Sequence, residues 1–272
     1  MGLDLARAGR DLIAGVVSLT LGVTVEGHVD SPIIQLGLLR DRLFASANLS
    51  LMLMMLAQFS VAFLLPFYFE ELRGLDVLQA GLLLTPLSIM FGVTALLSGS
   101  LADRLDARWL PLAGVVVSCV GLLLMAQLGA TSSDWDVVWR LVIIGAGQGL
   151  FAAPNARDIM AAAPANQQGI ASGTLATVRT VGQSLSVAVA GAIFASLGGT
   201  AAGATLVAQA GTLSSDRIAT LQHTFVTALD AAFIISAALA VCGILSALVE
   251  LGRTGRSSTP LGGVEPRIAQ PS

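Results

Sequence analysis

Residues 44–69 form an almost unbroken run of Leu, Met, Ala and Phe, and a second such run occupies residues 77–101. Each is longer than the roughly 20 apolar residues an α-helix needs to cross a bilayer. In hydrocarbon a chain must satisfy its own backbone hydrogen bonds, so a run without two-residue alternation is confined to helix. Further runs follow at residues 110–128, 137–163, 169–197 and 224–251. The expectation is an all-α polytopic membrane helix bundle with six transmembrane helices. Composition agrees, because a chain that is 55% hydrophobic and 11% charged, with mean hydropathy +0.82, cannot hide that much apolar surface in a water-soluble core.

A seventh run, residues 12–25, is interrupted by Ser18, Thr20 and Thr24 and falls short of a full span. The following Glu26-Gly27-His28-Val29-Asp30 lacks a small-residue cleavage pattern, so this run reads as a stunted or re-entrant segment rather than a signal peptide. The expected organisation is a short membrane remnant at 1–30, a helix bundle at 31–251, and a disordered cytoplasmic tail at 252–272. Residues 129–136 read as a short polar loop, and residues 198–222 as a flexible loop of small residues. Trp109, Trp135 and Trp139 fall at helix ends, where an indole keeps its ring in the interface and its N–H in water.

Charge fixes an expected sidedness. The 77–101 and 110–128 runs are joined by a turn that holds Asp103, Arg104, Asp106 and Arg108. If that turn is cytoplasmic, it shares its side with Arg40, Arg42, Arg157, Arg253, Arg256 and Arg267, which outnumber Arg73, Arg140 and Arg217 opposite. Positive residues accumulate on the cytoplasmic side, so the C-terminus is expected there, in a multi-pass protein of the cell membrane.

The same inventory excludes several functions. All 14 basic residues are arginines spread along the chain, the net charge is −3, and no basic face for nucleic acid arises. Without a lysine there is no Schiff-base retinal pump. His28 and His223 lie far apart in sequence, and no G-x-S-x-G or H-E-x-x-H occurs, so neither catalysis nor a metal site nor a cofactor is expected. Cys119 and Cys242 lie inside apolar runs and read as small packing residues. Gly145-Ala146-Gly147-Gln148-Gly149 has no strand before it, and close helix packing explains it better than a phosphate loop.

What remains is a pathway among packed helices. Arg179 falls about 15 Å into its helix, near mid-bilayer, at roughly 1.5 Å per residue. An arginine there costs on the order of 2.5–3.5 kcal/mol on insertion scales, so it either faces a transport cavity or pairs with a neighbouring helix and locks it. Asp230 is the carboxylate set furthest inside an apolar run, placed either to titrate or to reach the interface. Asn48, Gln58, Gln127 and Gln148 are candidates for substrate contact or for interhelical hydrogen bonding.

Gly99-x-Leu101-Ala102-Asp103-Arg104-x-Asp106-Ala107-Arg108-x-Leu110 resembles the loop motif of the major facilitator superfamily. Further stretches resemble its 14-helix drug:proton antiporters, the multidrug-efflux branch. They are Pro32-Ile33-Ile34 with Arg40, Arg42 and Phe44; Ala80-Gly81-Leu82-Leu83-Leu84 with Pro86; and Gly169-Ile170-Ala171-Ser172-Gly173 with Arg179 and Gly182. The resemblance implies half of a transporter, its C-terminal portion, beginning partway through the family pattern. It implies proton-coupled efflux of small amphiphilic molecules, with the lipid bilayer, the substrate and protons as partners. A separate N-terminal half or a second copy would complete it; the alternative is a truncated or half-transporter module without transport of its own. Gly99, Asp103, Arg104 and Arg108 would form the conformational motif, with Asp106 standing where the pattern has glycine. As helical neighbours, Arg104 and Arg108 share a face, and Asp103 suits a helix N-terminus, so the turn reads as a latch or as simple anchoring.

Overall fold

The computed structural model describes residues 41–105, 109–209 and 211–254, with the backbone alone described at 102–105 and 244–254. The 12–25 run, residues 106–108 of the turn, and the tail beyond Thr254 lie outside the described residues. Among those described there are no strands. The helices are α1 (Arg42–Phe67), extended by a π turn at Tyr68–Leu72, α2 (Val77–Leu105), α3 (Leu110–Met125), α4 (Asp134–Ala162), α5 (Gln168–Ser196), α6 (Gly199–Ala208) and α7 (Ser215–Thr254).

Local chemistry sets the helix ends. The Asp41 carboxylate accepts hydrogen bonds from the backbone N–H groups of Leu43 and Phe44, at 2.8 and 3.1 Å, capping α1. Ser133 and Asp136 form a reciprocal capping box at the start of α4. Pro111 sits in the first turn of α3, where its missing N–H costs nothing. Gly198, at φ 83°, adopts the left-handed backbone that lets α6 follow α5 directly.

Two expectations change. Five helices are long and apolar enough to cross a membrane. The sixth predicted span, residues 110–128, is the 16-residue α3, about 24 Å long against roughly 30 Å of hydrocarbon. The 198–222 stretch is not a flexible loop but holds α6 and the first turns of α7. There, packing overrides composition: Gly199 lies against the Phe194 ring, and Gly203 against the Glu71 carboxylate and Phe225.

The helices form two interlocked groups. α4 packs against α2 and α3, while α1 packs against α5 and α7; the α3–α7 and α1–α4 contacts join them. In lipid there is no hydrophobic drive between helices, so close backbone approach must hold them. Along α4, a methyl group added at Gly145 would strike the Leu87 carbonyl of α2. One added at Gly147 would sit 2.6 Å from the backbone nitrogen of Ser118 on α3, and one at Gly149 would sit 2.6 Å from the Phe91 carbonyl oxygen. The glycine triplet is therefore a two-sided packing surface. Thr94 and Ser98 of α2 lie along it, their hydroxyls donating to the carbonyls of Gly145 and Gly149 at 3.4 and 2.9 Å.

One end of the bundle is filled by Tyr68, Phe69, Leu122, Phe194, Phe225 and Phe233, with the Phe194 and Phe225 rings 5.0 Å apart in edge-to-face contact. The other end holds Phe44, Leu51, Met54, Phe151 and Ile159. Between α1 and α7 the buried hydroxyls of Ser60 and Ser236 share a hydrogen bond of 2.9 Å. A double-mutant cycle of Ser60→Ala and Ser236→Ala should give a coupling of about 0.6 kcal/mol, read from unfolding in mixed micelles. Zero coupling would mean that the two hydroxyls meet without stabilising the pair.

Candidate functional site

α5 carries a charged residue, Arg179, and several hydroxyls on its exposed side. Its inner side buries Ala171, Thr174, Gly182, Ser186, Ala190 and Phe194. A methyl group at Gly182 would lie 2.8 Å from the Met55 Cβ of α1, so this side is pressed close to its neighbour. The outer side exposes Ser172, Thr177, Arg179, Thr180 and Ser184. The Ser172, Thr177 and Thr180 hydroxyls donate to the carbonyls of Gly169, Gly173 and Ala176, at 2.9, 2.9 and 3.0 Å. Their donors are spent inside the helix, and their oxygens keep acceptor capacity toward the outside. Arg179 has no hydrogen bond or ion pair among the described residues, so it does not lock α5 to a neighbour within this structure.

The other candidates separate. Asn48 and Gln58 are buried in α1 and direct their amide donors along their own helix, to the Phe44 carbonyl at 2.8 Å and the Met54 sulfur at 3.1 Å. Their carbonyl oxygens are shielded and have no partner among the described residues. Gln148 is half-buried on α4 between two packing glycines, and Gln127 is exposed. Asp230 is half-buried on α7 with one carboxylate oxygen shielded and unpaired. A Cβ added at Gly99 would lie 3.7 Å from the Ala153 Cβ of α4, in ordinary contact, and the Asp103 and Arg104 backbones are helical. The side chains of Asp103 and Arg104, and all of Arg108, lie outside the described residues. Cys119 is buried, its thiol directed at the Ala237 carbonyl at 3.7 Å, whereas Cys242 is exposed. Trp109 and Trp135 are exposed, and the Arg140 guanidinium lies 4.9 Å from the Trp139 ring centre.

α2 and α5 are also the least buried of the five long helices, so each keeps one length of its surface uncovered by the described residues. On α2 that surface is apolar, with Leu82, Ile89 and Leu96 all more than half exposed. Comparison with known proteins gives the arrangement a context. The family model of the Major Facilitator Superfamily matches residues 12–187, more than half of the chain. The chain belongs to the Major Facilitator Superfamily. That membership agrees with the five helices long and apolar enough to cross a bilayer, and the chain is a membrane protein.

This facilitator chain is 32% identical over 188 residues to the uncharacterized transporter YebQ of Escherichia coli (strain K12), covering 69% of the chain and 41% of YebQ. It is 31% identical over 192 residues to the riboflavin transporter RibZ of Clostridioides difficile (strain 630), covering 70% and 42%. To the multidrug resistance protein Stp of Mycobacterium tuberculosis it is 29% identical, covering 68% and 34%. The chain thus spans less than half the length of these relatives. A solved bacterial homologue of the human lysosomal transporter Spinster, inward-facing and occupied, shares the fold with TM-score 0.58 at 17% identity, covering 78% of this chain and 49% of that one.

Two features had no signal in the sequence. The Ser60–Ser236 pair joins residues far apart in the chain, and single serines in apolar helices usually bond their own backbone. The π turn at Tyr68–Leu72 leaves no mark on composition.

Proposed function

We propose that this facilitator chain forms one half of a proton-coupled exporter of small amphiphilic molecules, akin to the 14-helix drug:proton antiporters. The observation that carries the reading is Arg179, exposed midway along a helix that is otherwise apolar enough to span a membrane. Facing lipid tails it would cost on the order of 2.5–3.5 kcal/mol, so the outer side of α5 belongs against water or a protein partner. The partner is a separate N-terminal half or a second copy of this chain, and transport proceeds by rocking the two halves around a site between them. The names of Stp and of the multidrug transporter MdtP of Bacillus subtilis support drug-like substrates. In this reading the Gly99–Asp103–Arg104–Arg108 turn biases the two states. The turn and the C-terminus lie on the cytoplasmic side of the plasma membrane. Asp230, Asn48, Gln58 and Gln148 supply coupling or substrate contacts.

A second reading, a membrane module without transport of its own, is favoured by the uncovered lengths of α2 and α5. Proteoliposomes separate the two. Under an imposed proton gradient, the chain reconstituted alone should export an amphiphilic dye if it works as a pair of identical halves. Export only after co-reconstitution with an N-terminal half assigns it as a subunit, and export under neither condition overturns the transport reading.

A further inference from the structure

At the end of the bundle opposite the 99–110 turn, the tip of α1 meets the start of α4, and two arginines there keep part of their hydrogen-bonding capacity unused. Arg73 follows the π turn, and Arg140 lies in the second turn of α4. One nitrogen of each guanidinium, Arg73 Nη1 and Arg140 Nε, is shielded from solvent and has no partner among the described residues. We infer that Arg73 and Arg140 form a binding site for the phosphate group of a membrane phospholipid.

The two arginines converge on one place. The Tyr68 hydroxyl, at the head of the π turn, donates to the Gly129 carbonyl at 2.9 Å and ties α1 to the loop before α4. Both guanidinium groups lie close enough to that hydroxyl for their charges to act on it. Arg140 donates from Nη1 to its own helix, at the Asp136 carbonyl 3.2 Å away, and rests 4.9 Å from the Trp139 ring centre. It has no ion pair among the described residues. The Asp136 carboxylate is spent on the Ser133 N–H and hydroxyl, at 3.1 and 2.8 Å. Of the two acids of the π turn, Glu71 packs against Gly203 and Glu70 is exposed. Arg73 is held by Asp134 at 2.7 Å, through one nitrogen alone. Asp134 is 61% exposed, so it can turn toward water and yield its place. A guanidinium donor left without a partner regains its lost hydration from an oxyanion, and phosphate matches the fork of donors that arginine presents.

The surroundings select a lipid over a free anion. Trp135 is exposed and Trp139 half-buried at this end, and indoles collect at the level of the headgroups. The start of α2 lies alongside. Gly145 against Leu87 and Gly149 against Phe91 set the register of α4 on α2, and the same register puts Val77, Leu78 and Leu82 level with the first two turns of α4. All three are more than half exposed. A phospholipid held by its phosphate at Arg73 and Arg140 therefore has its acyl chains at the depth of an apolar surface. Basic pockets between membrane helices take lipid headgroups by this chemistry.

Titration of the full chain in a neutral detergent with short-chain dihexanoylphosphatidylglycerol tests the site. Tryptophan fluorescence reads it, in a Trp109→Phe background so that Trp135 and Trp139 alone report. A saturable change is expected, weakened roughly tenfold or more by Arg140→Gln. Asp134→Asn, which removes the acid competing for Arg73 and leaves both arginines in place, should tighten binding about threefold. Arg217→Gln, at the start of α7, should leave it unchanged. Dihexanoylglycerol, the same chains without the phosphate, should not bind, and inorganic phosphate at the lipid's concentration should not displace the lipid. Displacement by inorganic phosphate would make this a site for soluble anions and overturn the lipid assignment. Absence of saturable binding, equal affinity for dihexanoylglycerol, or unchanged affinity in Arg140→Gln overturns the proposal. A misfolded variant does not bind more tightly, so the gain in Asp134→Asn separates a site from a merely structural role; weakened or unchanged binding there overturns the proposal as well. Binding is read with no gradient and no partner half, so its failure leaves the transport reading untouched.

Discussion

Gly149→Val should lower the melting midpoint of the purified chain by on the order of 10 °C, whereas Gly81→Val should leave it within about 1 °C. A Cβ at Gly149 meets Thr94 Oγ1, the Phe91 carbonyl oxygen at 2.6 Å and the Ala95 nitrogen at 2.7 Å, all on α2. Two of these are backbone atoms and cannot rotate away, so α2 must move off α4 as a body. Overpacking of this kind costs about 1–3 kcal/mol, and the backbone obstacles put Gly149 at the upper end. A shift of 1 kcal/mol corresponds to roughly 2–4 °C for a domain of this size. Nothing lies within 4 Å of a Cβ built at Gly81, so it controls for the loss of glycine itself. Fluorescence-detected thermal unfolding in detergent reads both. Equal shifts would mean that the α2–α4 contact does not depend on glycine.

Arg179→Ala should reduce dye export by the assembled transporter to the level of empty liposomes while leaving membrane insertion and the melting midpoint of the chain alone unchanged. The expectation rests on the side chain's position. Arg179 is exposed and bonds to nothing within the described residues, so its removal takes no contact out of the bundle. In the proposed assembly its charge faces a partner across the transport path, and a charge buried there would lose its compensation when the arginine is cut away. Arg179→Lys keeps the charge but not the forked geometry and should retain part of the activity. Surviving transport together with a fall in thermal stability would make Arg179 a structural lock instead.

Lipid makes membrane helices legible. A bilayer admits no exposed irregular backbone, so the apolar runs at 44–69, 77–101, 137–163, 169–197 and 224–251 translate into long helices, the first four with ends near those read from the chain and the last beginning earlier, at Ser215. The glycines at 145, 147 and 149 were legible for the same reason, since in hydrocarbon the main use of a small residue is close approach. The 198–222 stretch was not, because Gly, Ala and Thr carry a loop-like composition there, and the helix forms on tertiary contacts to Phe194, Glu71 and Phe225. Glu71 was hidden differently. In sequence it is one of two acids that end an apolar run, and its place against Gly203 of α6 follows from packing between segments far apart in the chain. Arg179 stood out as a charge at membrane depth, but its outward direction depends on which side of α5 meets α1, and that follows from Gly182 packing on Met52 and Met55.

The way α2 is attached has an evolutionary consequence. Its grip on α4 is made by the glycines of α4 meeting the α2 main chain at Leu87, Phe91 and Ala95, together with the inward hydroxyls of Thr94 and Ser98. The outward side chains at 82, 89 and 96 take no part in it. Recognition and cohesion are therefore written on separate sides of one helix, and the outer side can drift to suit a new counterpart while the scaffold stays fixed.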